Sequence, residues 1–362
     1  MNALGTEIAA IIEQEGPISV ERYMSLCLAH PIHGYYMTRD PLGAEGDFVT
    51  SPEISQMFGE LLGLWSAETW ALCGSPHPAR LVELGPGRGT LMADALRAAR
   101  VAHDFFADLE VTMVETSPAL TERQKRMLEG AERAVSWVET VERIPPGAPI
   151  ILANEFFDAL PVRHYVKTAR GWCERQVGFV DGRFVFGAAP EPEPYLSLDA
   201  PDGAIVEVGA IGQRIMTNLA ARIVQHGGAL LVVDYGHMRT ELGETLQALR
   251  DHSFVDPLES PGEADLTTHI DFAGLARAAK AAGARVHGPV TQGFFLRQIG
   301  VEQRAQALLR NASPEQTKEI ERSLVRLVSE QQETDMGRLF KAMAVTQRSV
   351  EALPGFVGDL VA

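Results

Sequence analysis

The chain has 362 residues, 46% of them apolar and 22% charged, an ordinary globular composition with room for one large domain or two. Its 32 basic and 48 acidic residues give a formal charge of −16, which excludes the overall basic footprint of a nucleic-acid-binding protein and suits a basic partner, such as a protein bearing arginine. Three scattered cysteines without a CxxC, the lack of a signal or transit pattern, and apolar runs too short for membrane insertion lead to the expectation of a reducing, cytoplasmic setting.

Residues 1–75 read as a helical cap. Ile8, Ile11 and Ile12 share one helical face, and Ser19 is placed to cap a second helix. HPIHGYYMTRDPLGAEGDFVTSPEIS, residues 30–55, is a long Gly-, Pro- and Asp-rich loop, the kind that usually binds something. A helix is predicted over Glu53–Leu72, with Ser51 as N-cap and Pro52 at its first position.

From Arg80 onward, strands and helices alternate. Strands are predicted at 81–84, 109–115, 135–138, 150–154, 229–234, 285–290 and 339–346, with helices at 90–100, 118–128 and 271–283. That alternation means an α/β fold with a largely parallel sheet covered on both faces. Two insertions interrupt residues 76–350. The first, 163–195, is strand-rich around an Asp181-Gly182 turn and ends in a Pro-rich APEPEPY linker. The second, 299–338, is helical and carries a Ser313-Pro314-Glu315-Gln316 capping box. Residues 351–362 form a tail.

LVELGPGRGTL, residues 81–91, joins the first strand to its helix. Gly85, Gly87 and Gly89 follow a Gly-x-Gly-x-Gly spacing that allows positive φ and close approach of a ligand. A dinucleotide loop needs Gly-x-Gly-x-x-Gly, a Walker loop needs Gly-Lys-Ser/Thr, and Pro86 removes an amide from any phosphate cradle. Glu83 would repel a phosphate and attract an ammonium. Glu115, ending the next strand, is placed to bind both ribose hydroxyls. These residues fit S-adenosylmethionine, which is cationic and phosphate-free; a nicotinamide cofactor and a plain helix-packing turn are the alternatives. Trp137 and Val138, after the third strand, are candidates to flank adenine.

The sequence also resembles a known family: the class I S-adenosylmethionine-dependent methyltransferases of the MidA type, related to the mitochondrial complex I assembly factor that methylates arginine. The likeness covers nearly the whole chain. It is carried by GPIS (16–19), HPIHGYY (30–36), GDFVTSPEISQMFGELL (46–62), VELGPGRGTL (82–91), NEFFDALP (154–161), ADLTTHIDF (264–272), TQGFFLRQIGV (291–301) and MGRLFKAMA (336–344). It implies a Rossmann-like seven-stranded methyltransferase sheet with an N-terminal helical cap and two insertions. It also implies S-adenosylmethionine as donor and protein arginine as acceptor, with a respiratory complex I subunit as one target.

Within that fold, Asn154 and Glu155 stand at the end of the fourth strand, where the acceptor should arrive. A carboxylate that takes two hydrogen bonds from a guanidinium fixes its plane and draws charge off the attacking nitrogen. Glu155 is the first candidate for this role, Asp158 the second, and Asn154 would bind the donor or orient the acceptor. Phe156 and Phe157 would exclude water or stack on the guanidinium. Asp47, Thr50, Ser51 and Glu53 are expected in a lid over the donor. Tyr35 and Tyr36 read as packing residues. Asp234 and Tyr235 either line the site or only end their strand. Other readings are a methyltransferase of a different acceptor and a non-catalytic assembly factor.

Overall fold

The computed structural model describes residues 1–38 and 50–357. Among the described residues its central sheet has eight strands. Seven lie side by side: β1 (Arg80–Leu84), β2 (Glu110–Val114), β3 (Ala134–Val138), β4 (Ile150–Asn154), β5 (Ala229–His237), β6 (Arg285–Thr291) and β7 (Phe340–Thr346); the eighth, Ile270–Asp271, pairs with the end of β5. The seven lie in the order β6-β7-β5-β4-β1-β2-β3. β1 to β5 are parallel, and β7 runs antiparallel to both neighbours.

The central strands β4, β5 and β7 are almost continuously apolar because both faces are covered, while the edge strands β3 and β6 are only partly buried. Ile150, Leu152, Leu231 and Val233 join one core, under helices Gln56–Leu72 and Thr90–Ala99. Ile151, Ala153, Leu230 and Val232 join the other, under helices Ala210–His226 and Phe272–Ala281. The chain leaves β1 toward β2 and β3, then returns to β4 on the other side of β1. That reversal opens a crevice at the carboxyl ends of β1 and β4.

The helix predicted over Glu53–Leu72 is two helices, Ser51–Ile54 and Gln56–Leu72. Ser55 breaks it with extended backbone (φ −162°, ψ 138°), and its hydroxyl accepts the Met57 N–H at 3.2 Å. Thr50, not Ser51, holds the N-cap position of the short helix, without a side-chain cap bond. The longer helix packs closely on Thr90–Ala99 through Gly59 and Gly63: a Cβ on Gly63 would lie 2.3 Å from the Ala95 carbonyl oxygen. This crossing brings Ser51–Ile54 over the crevice.

The strand-rich insertion supplies Arg163–Thr168, Gly171–Val180 and Arg183–Pro192, which join Ile205–Val208 and Ile18–Ser19 in a five-stranded sheet. Asp181 and Gly182 both take positive φ (49° and 78°), as a tight hairpin requires. The start of the expected APEPEPY linker is instead strand as far as Pro192, on an edge where proline is tolerated. Leu4, Ile8 and Tyr23 of the N-terminal cap share a core with Val177 of this insertion. That core also takes in Leu246 and Leu266 around a three-stranded sheet of Gln247–Arg250, Ser253–Val255 and Asp265–Thr267. In the helical insertion, helix Pro314–Val328 starts at the Ser313 capping box. Arg304 anchors the insertion to buried Glu60 at 2.7 and 2.9 Å, and Arg97 binds the same carboxylate at 3.0 Å. No helix among the described residues is long and apolar enough to cross a membrane.

Candidate active site

A cavity of about 420 Å³ opens at the carboxyl ends of the central strands. At one end lies the glycine loop. Gly85, Gly87 and Gly89 all have positive φ (59°, 52° and 84°). Gly85 also needs its missing side chain, since a Cβ there would sit 3.0 Å from the Phe156 ring. Two buried acceptors in the lining, Glu83 Oε2 and Asn154 Oδ1, have no hydrogen-bond partner among the described residues. An orphaned buried polar atom costs about 1–3 kcal/mol, so both suit a site that receives a donor from outside. Burial, and then the neighbouring Glu115, push the Glu83 carboxyl well above the usual range.

Glu115 is held in place. Its Oε1 accepts the Ser117 N–H at 2.7 Å, and its Oε2 accepts the Gln124 amide at 3.0 Å. Buried Gln124 also donates to the Gly87 carbonyl at 2.8 Å and accepts the Trp137 indole N–H at 2.9 Å. One amide thus ties together the loop, the second carboxylate and β3.

The other end is built on IILANEFFDALPV, residues 150–162. β4 stops at Asn154, and Glu155 takes a left-handed backbone (φ 48°), a conformation that costs a non-glycine residue about 1–3 kcal/mol. Asp234 within β5, which runs on past the predicted end to His237, fixes the following turn, accepting N–H bonds from Phe157 (3.0 Å) and Asp158 (3.3 Å). The turn separates the two aromatics: Phe156 lines the cavity, while Phe157 is buried in the core with its ring edge-on at 5.2 Å.

Glu155 Oε1 accepts the Ser51 N–H (3.1 Å) and the Asn154 amide (3.0 Å). Burial and the nearby Asp158 raise its pKa to about 7. Burial raises Asp158 to about 6, against the bond donated by the Tyr235 hydroxyl. Tyr36 donates to Asp265 Oδ1 at 2.9 Å. Glu53, Glu83, Glu115, Glu155, Asp158 and Asp265 all line the cavity, and Arg88 is the one basic residue among its described lining. Such a field favours cationic ligands.

The model of the Methyltransf_28 family of S-adenosyl-L-methionine-dependent methyltransferases matches residues 61–290. The chain belongs to this family. The methyltransferase is 39% identical over 325 residues to human "Protein arginine methyltransferase NDUFAF7, mitochondrial", covering 82% of this chain and 73% of that one. It is 38% identical over 377 residues to the Drosophila melanogaster protein named as the homolog of NDUFAF7, covering 95% and 84%. Its structure matches a COG1565 superfamily member from Burkholderia thailandensis bound to S-adenosyl-homocysteine. The TM-score is 0.85, across 99% of this chain and 95% of that one at 27% identity.

S-adenosylmethionine is the methyltransferase's cofactor, and the residues present fit it. The orphaned Glu83 and Asn154 oxygens match an ammonium, and the Glu115 carboxylate suits ribose hydroxyls. Thr50, Glu83, Gly85, Gly87, Glu115, Asn154, Glu155 and Asp158 line the cavity. Gly89 sits behind it as the left-handed N-cap of helix Thr90–Ala99. Ser51 is buried beside it and reaches Glu155 through its backbone.

Trp137 and Val138, expected to flank adenine, are not among the residues that line the cavity. The Trp137 indole is tied to Gln124, and Val138 packs against the second core. Asp47 lies outside the described residues. The sequence reading missed Gln124, Asp265 and Thr267, and took Tyr36 for packing. Tyr36, Asp265 and Thr267 lie in the HPIHGYY and ADLTTHIDF blocks, whose likeness to the family was the available signal. Tyr235 lines the cavity, whereas Asp234 serves the turn. His30 and His33 stack at 5.4 Å, and the His30 ring nitrogen caps the His33 N–H at 3.2 Å.

Proposed function

We propose that the protein methylates arginine side chains of a protein acceptor. The observation that carries this reading is the pair Glu155 and Asp158: two buried carboxylates on one turn after β4, both lining the cavity. The names of relatives at 38–39% identity support it.

S-adenosylmethionine, when bound, supplies an electrophilic methyl group on a cationic sulfur. Glu83 and Asn154 would hold its ammonium and Glu115 its ribose, and the side-chain-free edge of the glycine loop would let it approach the backbone. Glu155 and Asp158 take guanidinium N–H bonds, hold its plane and draw positive charge from the attacking nitrogen. Forming the new N–C bond requires loss of an N–H proton. A carboxylate with a pKa near 7 is matched to accept it and pass it to water. Phe156 keeps solvent from that edge of the loop.

Glu155→Gln tests the reading. Labelled methyl transfer into protein from a cell lysate, with mass spectrometry of the modified residue, should fall by about 100-fold or more. Adenosylhomocysteine binding should be retained. Unchanged turnover, or label on a residue other than arginine, defeats the proposal. The complex I subunit implied by the resemblance is the first acceptor to test. All three cysteines are free thiols, which fits the cytoplasm as the proposed location.

A further inference from the structure

Ser51 is a fully buried serine whose backbone and side chain point to different parts of the molecule. Its N–H donates to Glu155 Oε1 at 3.1 Å, and its hydroxyl donates to Gln292 Oε1 at 3.4 Å. Gln292 is also fully buried, in the first turn of helix Gln292–Gln298. Its amide nitrogen donates to the Leu327 carbonyl at 3.0 Å, near the end of the insertion helix Pro314–Val328. That bond sets the orientation of the amide and leaves its oxygen for Ser51. It also satisfies one of the last carbonyls of that helix, which have no partner within the helix. A second strap runs from Ser323 Oγ on the same helix to the Ile54 carbonyl at 3.1 Å. On the donor side, Glu53 accepts the Thr90 hydroxyl at 2.6 Å.

We propose that Gln292 is a positioning residue: braced by the helical insertion, it seats Ser51 so that the Ser51 amide holds the Glu155 carboxylate. The inference rests on Glu155 being the acceptor carboxylate. It gives the insertion a task that its sequence position does not reveal, since residues 241 apart meet at Ser51 and Gln292.

Three charged groups face Glu155. Asp158 on its own turn raises its pKa, Arg326 on the insertion helix lowers it, and Asp234 on β5 repels it. The Ser51 bond lowers it as well. Loosening Ser51 therefore makes Glu155 harder to ionise.

The test reads Glu155 directly and needs no acceptor. Its side-chain carboxyl carbon is followed by ¹³C NMR across pH 4–10 and assigned by its disappearance in Glu155→Gln. Gln292→Met keeps the volume and removes both hydrogen bonds. Ser51→Ala keeps the amide and removes only the hydroxyl link, so it carries the test should the first variant fail to fold. Both should raise the midpoint by about half a pH unit or more while adenosylhomocysteine affinity stays within about twofold. An unchanged midpoint in the folded variants overturns the proposal and leaves Gln292 as packing. Full methyl transfer by Glu155→Gln would instead remove the acceptor role and leave the titration result standing.

Discussion

The two ends of the cavity differ in how their polar groups are partnered. The proposed donor end keeps two buried oxygens without a hydrogen-bond partner among the described residues, on Glu83 and Asn154, although Glu115 beside them is held by Ser117 and Gln124. At the acceptor end the carboxylates already have partners: Ser51 and Asn154 on Glu155, Tyr235 on Asp158 and Tyr36 on Asp265. The difference follows from what each end must bind. On the proposed reading the donor always brings the same ammonium, so the partners of Glu83 and Asn154 can be left out of the protein. The acceptor comes and goes during turnover, and its carboxylates must stay aimed, and able to exchange a proton, while it is absent.

The most severe way to break this contrast is Glu83→Gln. Adenosylhomocysteine affinity by calorimetry should fall about 10- to 100-fold, the value of a hydrogen bond to a charged group. The ligand-free variant should nevertheless melt higher than the parent at pH 8. The folded pKa of Glu83 is raised, so its favourable contribution is present below the unfolded value of 4.5 and is lost as pH rises toward the folded pKa. Glutamine removes that loss, and at pH 5 the difference should shrink. Equal melting at both pH values would mean that Glu83 is not a strained, waiting group.

At the acceptor end the sign of the pH effect can be read from turnover. Glu155 and Asp158 must be ionised to hold a guanidinium, and their pKa values are about 7 and about 6. Methyl transfer at saturating donor should therefore fall as pH drops from 8 to 5.5, with most of the loss below 7. A flat profile would remove both residues from the chemistry. The smallest effect belongs to Tyr36→Phe, which takes the hydroxyl from Asp265. A roughly 2- to 10-fold rise in acceptor KM, with unchanged donor affinity, is expected from the loss of one hydrogen bond. A change in donor affinity instead would place Tyr36 at the wrong end.

Legibility in the sequence divides along the same line. The donor end comes from LVELGPGRGTL and the end of the next strand, where residue type, strand end and glycine spacing all act locally. The exclusion of phosphate by Glu83 and Pro86 needs only that order of residues. The acceptor end draws Tyr36 to Asp265 across 229 positions, and no local period reports such a meeting. Trp137 shows the opposite hazard. Its place near the end of β3 suggested adenine, but Gln124 on the preceding helix accepts its indole N–H. Similarly, the segment around Ser51 had a sufficient local account as an N-cap, yet Ser51 spends its amide on Glu155.

By itself, the sequence determined the seven central strands and the helices that follow β1 and β2 and precede β6, because short apolar runs bounded by charged, Gly and Pro residues mark them, while helix Ala210–His226 went unread. It also determined the turn that meets the donor, because only glycine takes those backbone angles without strain. Only the tertiary structure decided which carboxylates face one another, how the N-terminal cap and the helical insertion pack near them, and hence their elevated pKa values. Burial and the approach of like charges arise only when distant segments pack together.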